Sequence, residues 1–436
     1  MMPNPRIFLS AGEASGDAYG ASLISAVLEQ LPAASFTGLG GSQMEDAGQE
    51  RVVKAEDVAV MGLTEILRHI PHIYASYRKL VGNIHRDRPD VAVLIDFPDV
   101  NFRLAKHLRR AGVPVVWFVS PQLWAWKRRR LRWVQQRVDK MLVIFPFEET
   151  FYRQRGVDSE FVGHPLVGNI VGRMSRDEYA ATYRLDPEKT WIALLPGSRW
   201  KEIHANLPTL HELAMSDLIS SSAAHTTFDG DTTRQPSDPA AHTRYEFLLP
   251  VASTIDSRTL QMYIEKLNAE HLKYFGPEAS SLRLTLVTDA AEALFHARAS
   301  VVASGTATVL AAIVGNPFVV VYRVSTLTFA LAKKLVEYPE ELDAKPDLNG
   351  NLPVSMANLI AQQRLIPELL QGQFSAANVA SALAPLLVDG PERERQMAGL
   401  SEVRRRLISD RGATGTSPIA RVAEVVVRLL STVSDA

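Results

Sequence analysis

RIFLSAGEASGDAYGASLI, Arg6 to Ile24, contains the first change of hydrophobic period in the chain. Ile7–Ala11 is a short run of strand length, and an apolar pattern of helical spacing runs from Ala18 to Gln30. Between them lies a polar turn, Gly12-Glu13-Ala14-Ser15-Gly16-Asp17. Ser15 or Asp17 is the candidate helix cap, and free N–H groups at such a helix start suit an anion or a sugar hydroxyl. The glycines are not spaced G-x-G-x-x-G, and no acidic residue follows where a dinucleotide ribose would need it. A phosphate grip, a sugar site and a plain capped turn all remain open at this point.

The strand–turn–helix unit recurs along the chain. Further strands are predicted at Phe36–Leu39, Val91–Ile95, Val115–Val119, Met141–Phe145 and Phe161–Val162. A second series covers Trp191–Leu195, Phe247–Val251, Leu284–Val287, Ser300–Ala303 and Phe318–Tyr322. Alternation of this kind is the signature of parallel sheets covered by helices on both faces. A length of 436 residues exceeds one ordinary core, so two domains are expected. The boundary falls between Val167 and Thr190, which divides the chain into 1–170, 171–390 and a helical end over 391–436. The fold class is α/β, with two doubly wound, Rossmann-like domains facing a cleft at the carboxyl ends of their strands.

With 47 Lys+Arg against 48 Asp+Glu the net charge is −1, so any anion site must be local and nucleic acid is not an expected partner. There is no cysteine, which excludes disulfides, thiolate metal sites and a cysteine nucleophile. The N-terminus lacks the long apolar core of a signal peptide. Ala299–Tyr322 carries no charge, but Ser304-Gly305-Thr306 and Gly315-Asn316-Pro317 punctuate it, so a buried βαβ unit is expected there rather than a membrane span. Ser220–Arg244 and Glu340–Leu352 read as mobile surface insertions.

Several stretches place reactive side chains at strand ends. In VLIDFPDVNFRLAKHL, Asp96 ends a buried strand and is either a general base or the holder of the Pro98 turn, while Asp99 reads as a helix cap. In VSPQLWAWKRRRLRW, Lys127, Arg128, Arg129, Arg130 and Arg132 give five cations in six positions beside Trp124, Trp126 and Trp133. That run is a solvated face, a phosphate site or a patch for anionic lipid. From Met61 to Val81 a basic, amphipathic helical pattern with a break at Pro71 is either a core helix or a membrane-lying one. His69 and His72 lack a third metal ligand. In IALLPGSRWKEI, Gly197 lets backbone approach a ligand, Ser198 follows, and Arg199 can fork onto a phosphate. Ser304-Gly305-Thr306 repeats the strand-to-helix theme, and two such turns suggest a nucleotide diphosphate. His164 and Tyr322-Arg323 end segments close to the same expected cleft.

Taken in order, SAGEASGDAYG, GLGGSQMEDAG, AVMGLTEIL, IDFPDVNFRLAKHL, VSPQLWAWKRRR, FPFEETFYRQRGV, FVGHPLV, LLPGSRWKEI, ASGTAT, YRVSTLTFALAKKLV and NLIAQQRLIPELLQG resemble the lipid-A-disaccharide synthase family. The resemblance runs from Ile7 to about Gly372 and implies a GT-B glycosyltransferase that inverts at the anomeric carbon without a metal or other cofactor. It implies UDP-2,3-diacylglucosamine as donor, 2,3-diacylglucosamine 1-phosphate as acceptor, and lipid A disaccharide 1-phosphate and UDP as products. It further implies Asp96 as the catalytic base, and Arg199 and Asn358 as donor-site residues. Gly197, Ser198, Ser304, Gly305, Thr306 and Arg323 complete the expected donor side, and Glu13, Ser15, Lys127 and Arg128 the acceptor side. Acylated substrates imply a peripheral enzyme on an anionic membrane surface, the cytoplasmic face of the inner membrane, with a homodimer as a candidate assembly. Two departures stand out: Val309-Leu310 replaces the family's Leu-Glu, and Gln362-Gln363-Arg364 replaces its Gly-Arg-Glu. The competing readings are an enzyme like UDP-GlcNAc 2-epimerase and a non-catalytic lipid-binding scaffold.

Overall fold

A computed structural model describes residues 4–59, 66–168, 172–215, 244–275, 284–409 and 417–434. All of the first insertion except Arg244, and the start of the amphipathic segment, 61–65, lie outside the described residues. The chain forms two compact units: Met1–Gly168 with Val336–Glu341 and Leu407–Ala436, and Asn169–Leu335 with Leu342–Arg406.

Unit 1 holds a seven-stranded sheet of β1 (Arg6–Ala11), β2 (Ser35–Gly40), β3 (Gln49–Lys54), β4 (Val91–Ile95), β5 (Val115–Phe118), β6 (Lys140–Val143) and β7 (Ser159–Phe161). Their spatial order is β3-β2-β1-β4-β5-β6-β7, and every pairing is parallel. β4 and β5 are buried at every position, which is why they read as unbroken apolar runs. Unit 2 holds β8 (Thr190–Leu195), β9 (Tyr245–Pro250), β10 (Leu284–Val287), β11 (Ala299–Ala303), β12 (Phe318–Tyr322) and β13 (Glu368–Leu370). Their order is β10-β9-β8-β11-β12-β13, again wholly parallel. In both sheets the winding direction reverses once, between β1 and β4 in the first and between β8 and β11 in the second. Ligands of doubly wound sheets bind outside the carboxyl ends of the strands at such reversals.

The division of the chain differs from the three consecutive segments expected from sequence. Helix Pro391–Arg406 packs on the helices of unit 2, including Thr306–Val314 and Met356–Ala361. Helix Pro418–Ser434 instead returns to unit 1, where it lies against helix Ala14–Gln30 and β4. Val422, Ala423, Val426 and Leu430 form its buried stripe, and such a stripe needs an apolar partner face. The Glu340–Leu352 segment is also more built than the loose loop expected. The Asp347 carboxylate accepts hydrogen bonds from the backbone N–H groups of Asn349 (2.9 Å) and Asn351 (2.7 Å). Arg364 in turn donates to the Asn351 carbonyl at 2.6 Å.

Candidate functional site

At the first reversal, β1 ends in Gly12-Glu13 and β4 ends in Asp96-Phe97. Asp96 and Phe97 are both non-glycine residues with left-handed backbone, φ 44° and 47°. Two such residues in a row cost about 1–3 kcal/mol each and persist only where the surroundings fix them. Asn101 does much of that fixing. It is fully buried, and its amide nitrogen reaches the carbonyls of Asp96 (2.8 Å), Ile95 (3.2 Å) and Ser10 (3.3 Å). Its Oδ1 accepts from the Ser10 hydroxyl at 2.6 Å, so one side chain ties the ends of β1 and β4 together. The Asp96 N–H completes the frame by donating to the Phe118 carbonyl at 3.0 Å.

Phe97 explains the first glycine of the opening turn. A Cβ at Gly12 would lie 2.4 Å from the Phe97 ring, so the turn is closed by an aromatic ring that only glycine admits. Helix Ala14–Gln30 starts earlier than predicted, and Glu13 at its N-cap makes no side-chain cap bond. Neither Ser15 nor Asp17 is that helix's cap. The buried Asp17 carboxylate instead accepts from the N–H groups of Gly41 (2.8 Å), Met44 (3.1 Å) and Gln43 (3.1 Å), capping the short helix Ser42–Asp46. Asp99 is not a cap either. Phe97 takes that place on helix Pro98–Arg110, and Asp99 pairs with Arg130 at 2.7 Å.

Burial, followed by the nearby Glu13 charge, raises the Asp96 carboxyl from its ordinary 3.8 to about 6. Tyr19, one turn along the same helix as Ser15, is pushed up to about 12 by burial and then by the Asp96 charge, so its phenol stays protonated. Sequence reasoning missed both Tyr19 and Asn101. The only signal for Asn101 was a polar residue on the apolar face of its helix.

The cationic loop sits beyond β5. Lys127 lies 4.0 Å over the Trp126 ring, and Arg128 donates to the Glu337 carbonyl at 2.7 Å. The loop is anchored from below. Trp124 is buried, and its indole N–H donates to Glu148 at 3.0 Å, while Glu148 also accepts from the Phe145 N–H at 3.2 Å. Full burial raises the Glu148 carboxyl from 4.5 to about 8, so it is predominantly neutral at pH 7. His164 is also buried, and desolvation lowers it to about 4, which makes it a neutral core histidine whose Nδ1 accepts from the Leu166 N–H.

At the second reversal, β8 runs into Gly197-Ser198-Arg199 and β11 into Ser304-Gly305-Thr306. Gly197 has φ 132°, and the Ser198 N–H donates to Glu202 at 2.9 Å. Arg199 is largely exposed and lies 3.6 Å from the same carboxylate. Gly305, φ 147°, is the N-cap of helix Thr306–Val314, and a Cβ there would meet open space. The first N–H groups of a helix are unpaired within it and carry a partial positive charge, so the two adjacent strand ends present anion-binding chemistry.

Two expected donor residues face inward instead. The Arg323 guanidinium donates to Thr209 Oγ1 (2.9 Å) and to the Phe374 carbonyl, and it lies over the Phe374 ring. Asn358 is buried. It donates to the Ile366 carbonyl and to Glu368, each at 2.9 Å, and it accepts from the Leu365 and Ile366 N–H groups. All four of its hydrogen-bonding capacities are therefore used inside the fold. Arg364, which departs from the family pattern, joins the same knot by pairing with the Glu368 carboxylate at 3.5 Å.

The fold places the chain among GT-B proteins. A glycosyltransferase of kitacinnamycin superposes with a TM-score of 0.59 at 12% identity, covering 98% of this chain and 100% of that one. The calicheamicin glycosyltransferase CalG4 superposes at 0.52 and 16%, covering 99% of each chain. A putative UDP-N-acetylglucosamine 2-epimerase from Listeria monocytogenes superposes equally well, at 0.54 and 10% over 91% of each chain, so architecture alone does not separate the two chemistries. Sequence separates them. A profile described as Lipid-A-disaccharide synthetase matches residues 7–229 and 252–412. Lipid-A-disaccharide synthase of Acidobacterium capsulatum is 47% identical over 433 residues, 99% of this chain and 98% of that one. The synthase of Koribacter versatilis is 44% identical over 424 residues, 97% and 98% of the two chains. The chain belongs to the lipid-A-disaccharide synthase family, and it is a glycosyltransferase of lipid A disaccharide synthesis that acts on a nucleotide-sugar donor and an acceptor. Among the described residues, no helix is long and apolar enough to cross a membrane.

Proposed function

We propose that the chain transfers 2,3-diacylglucosamine from UDP-2,3-diacylglucosamine to 2,3-diacylglucosamine 1-phosphate, with Asp96 as the general base. The observation that carries this reading is the Asp96 turn: a carboxylate at the sheet reversal, in strained backbone, raised to about 6. A base of that strength is ionised at pH 7 and still basic enough to accept a hydroxyl proton as the oxygen attacks. The acceptor 6-hydroxyl forms a bond to the donor's anomeric carbon, its proton passes to Asp96, and the bond to UDP breaks with inversion. Charge developing on the departing diphosphate is met by Arg199 and by the N–H groups at Gly305-Thr306, while the Ser198 N–H holds the turn through Glu202. Glu13 and the protonated Tyr19 phenol lie close enough to Asp96 to feel its charge and suit the acceptor sugar together with Ser15 of the same turn, and Lys127 and Arg128 suit its phosphate or lipid head groups. Asn358 and Arg323 act as positioning residues through their internal hydrogen bonds.

Acyl chains on both substrates call for a peripheral enzyme at an anionic membrane face, the inner leaflet of the inner membrane. Helix Ile66–Asp87 supports this reading, with Tyr74 exposed and Arg78, Lys79, His85 and Arg86 along it. Incubation with the two lipid sugars, assayed for UDP and disaccharide 1-phosphate, tests the reaction. Release of both by the wild-type chain and neither by Asp96→Asn supports it, whereas UDP-GlcNAc turnover to its 2-epimer would replace it.

A further inference from the structure

Beside the amphipathic helix, unit 1 contains a pocket of about 300 Å³ that the reaction above does not use. Helix Pro98–Arg110 forms its floor, and Asp99, Arg103 and Lys106 fall on one face at helical spacing. Arg130 and Arg137 come from the segment Arg128–Arg137, and Tyr77 comes from helix Ile66–Asp87. Four permanent cations therefore meet a single carboxylate, in a chain whose net charge is −1.

The pocket is built rather than merely charged. Arg130 is held by Asp99 at 2.7 Å, and Arg137 donates to the Phe102 carbonyl at 2.9 Å. Trp133 lies between these two guanidinium groups, 5.5 Å from one and 5.0 Å from the other, and packs edge-on against Phe102. Two cations are thus fixed in place, while Arg103 and Lys106 are exposed and able to close on a ligand. Fixed arginines lose little freedom on binding and fork onto phosphate oxygens.

We propose that this pocket binds the phosphodiester head group of an anionic phospholipid and so anchors unit 1 on the membrane. The proposal rests on the peripheral-membrane reading above. The surroundings favour a lipid over a soluble anion. Trp133 in its lining is exposed, as is Tyr74 one helical turn from Tyr77, and aromatic side chains beside Lys and Arg are the composition of the membrane–water interface. The basic helix Ile66–Asp87 also runs along the wall that carries Tyr77.

The test compares the wild-type chain, Arg103→Gln/Lys106→Gln, and the charge-matched control Arg129→Gln/Arg132→Gln, whose residues lie in the cationic run but do not line the pocket. Each is sedimented with vesicles of phosphatidylcholine, with and without phosphatidylglycerol. Each is also titrated with short-chain phosphatidylglycerol below its micelle concentration, observed by phosphorus resonance broadening. The pocket variant should lose roughly 10–30-fold in binding to the phosphatidylglycerol vesicles, more than the control, and should cease to broaden the phosphorus signal. Turnover of detergent-dispersed substrates should be unchanged. Equal losses in both variants would reduce the feature to diffuse charge attraction and overturn the pocket alone. Unchanged vesicle binding with a raised acceptor KM would assign the pocket to the acceptor phosphate and overturn the lipid reading. A wild-type chain that binds neither kind of vesicle would remove the membrane reading itself, and the anchor with it.

Discussion

The two sheet reversals occupy the same topological place and are built in opposite ways. At β1/β4 the backbone is strained, an aromatic ring fills the space over Gly12, and the acid is largely withdrawn from water. At β8/β11 the special backbone is carried by glycines, Gly305 borders open space, and the charged group, Arg199, is exposed. A base needs desolvation and a fixed direction, because both raise its proton affinity and aim it. An anion cradle needs unpaired N–H groups and room. One fold supplies either according to whether side chains or glycines occupy the turn.

The most severe way to break the contrast is Asp96→Asn. It should lower kcat by about 10²–10⁴-fold with little change in KM, measured by UDP release. It should also raise thermal stability at pH 7. The folded-state pKa of Asp96 lies above its unfolded value, so the native state binds the extra proton, and stability falls as pH rises from about 4 to about 6. The neutral amide removes that cost, on the order of 1–3 kcal/mol. A lowered melting temperature would show that the acid is a structural asset instead. At the other reversal, Arg199→Ala should raise donor KM roughly 10–100-fold while acceptor KM is nearly unchanged, and Gly305→Ala should act in the same direction through strain at its positive φ. Equal effects on both substrates would erase the division of labour.

Gly12→Ala should cost roughly 1–3 kcal/mol by displacing the Phe97 ring, and it should lower kcat more than it raises KM. Alanine tolerated with full activity would show that the ring does not aim Asp96. The smallest effect belongs to Glu13→Gln. Removing that neighbouring charge lowers the Asp96 pKa, so the acid limb of the kcat–pH profile, expected near pH 6, should move to lower pH. An unmoved limb would place its origin in another group.

Most strands were legible because parallel strands buried on both faces leave unbroken apolar runs, as VAVLI does in β4. The edge strand QERVVK and the three-residue ELL were not, since polar or very short strands leave no such run. Asp96 and Arg199 were legible as charged residues placed just after strand ends. Tyr19 was not, because nothing local to its helix marks a buried phenol as lying within reach of the charge of an acid at a strand end. The inward roles of Asn358 and Arg323 were hidden for a related reason: hydrogen bonds to residues 8 and 51 positions away are set by tertiary packing, not by local spacing. The resemblance to a family supplied the names of such residues without the direction of their side chains.

The return of helix Pro418–Ser434 to unit 1 has a consequence for biosynthesis. The segments of unit 2 are all present once Arg406 has emerged from the ribosome, so that unit can close during translation. The face of helix Ala14–Gln30 that receives helix Pro418–Ser434 must stay uncovered until synthesis has passed that helix. The unit that holds Asp96 starts before unit 2 and is completed after it. A nascent chain halted before Pro418 would therefore expose an apolar surface for chaperones while its partner unit is already folded.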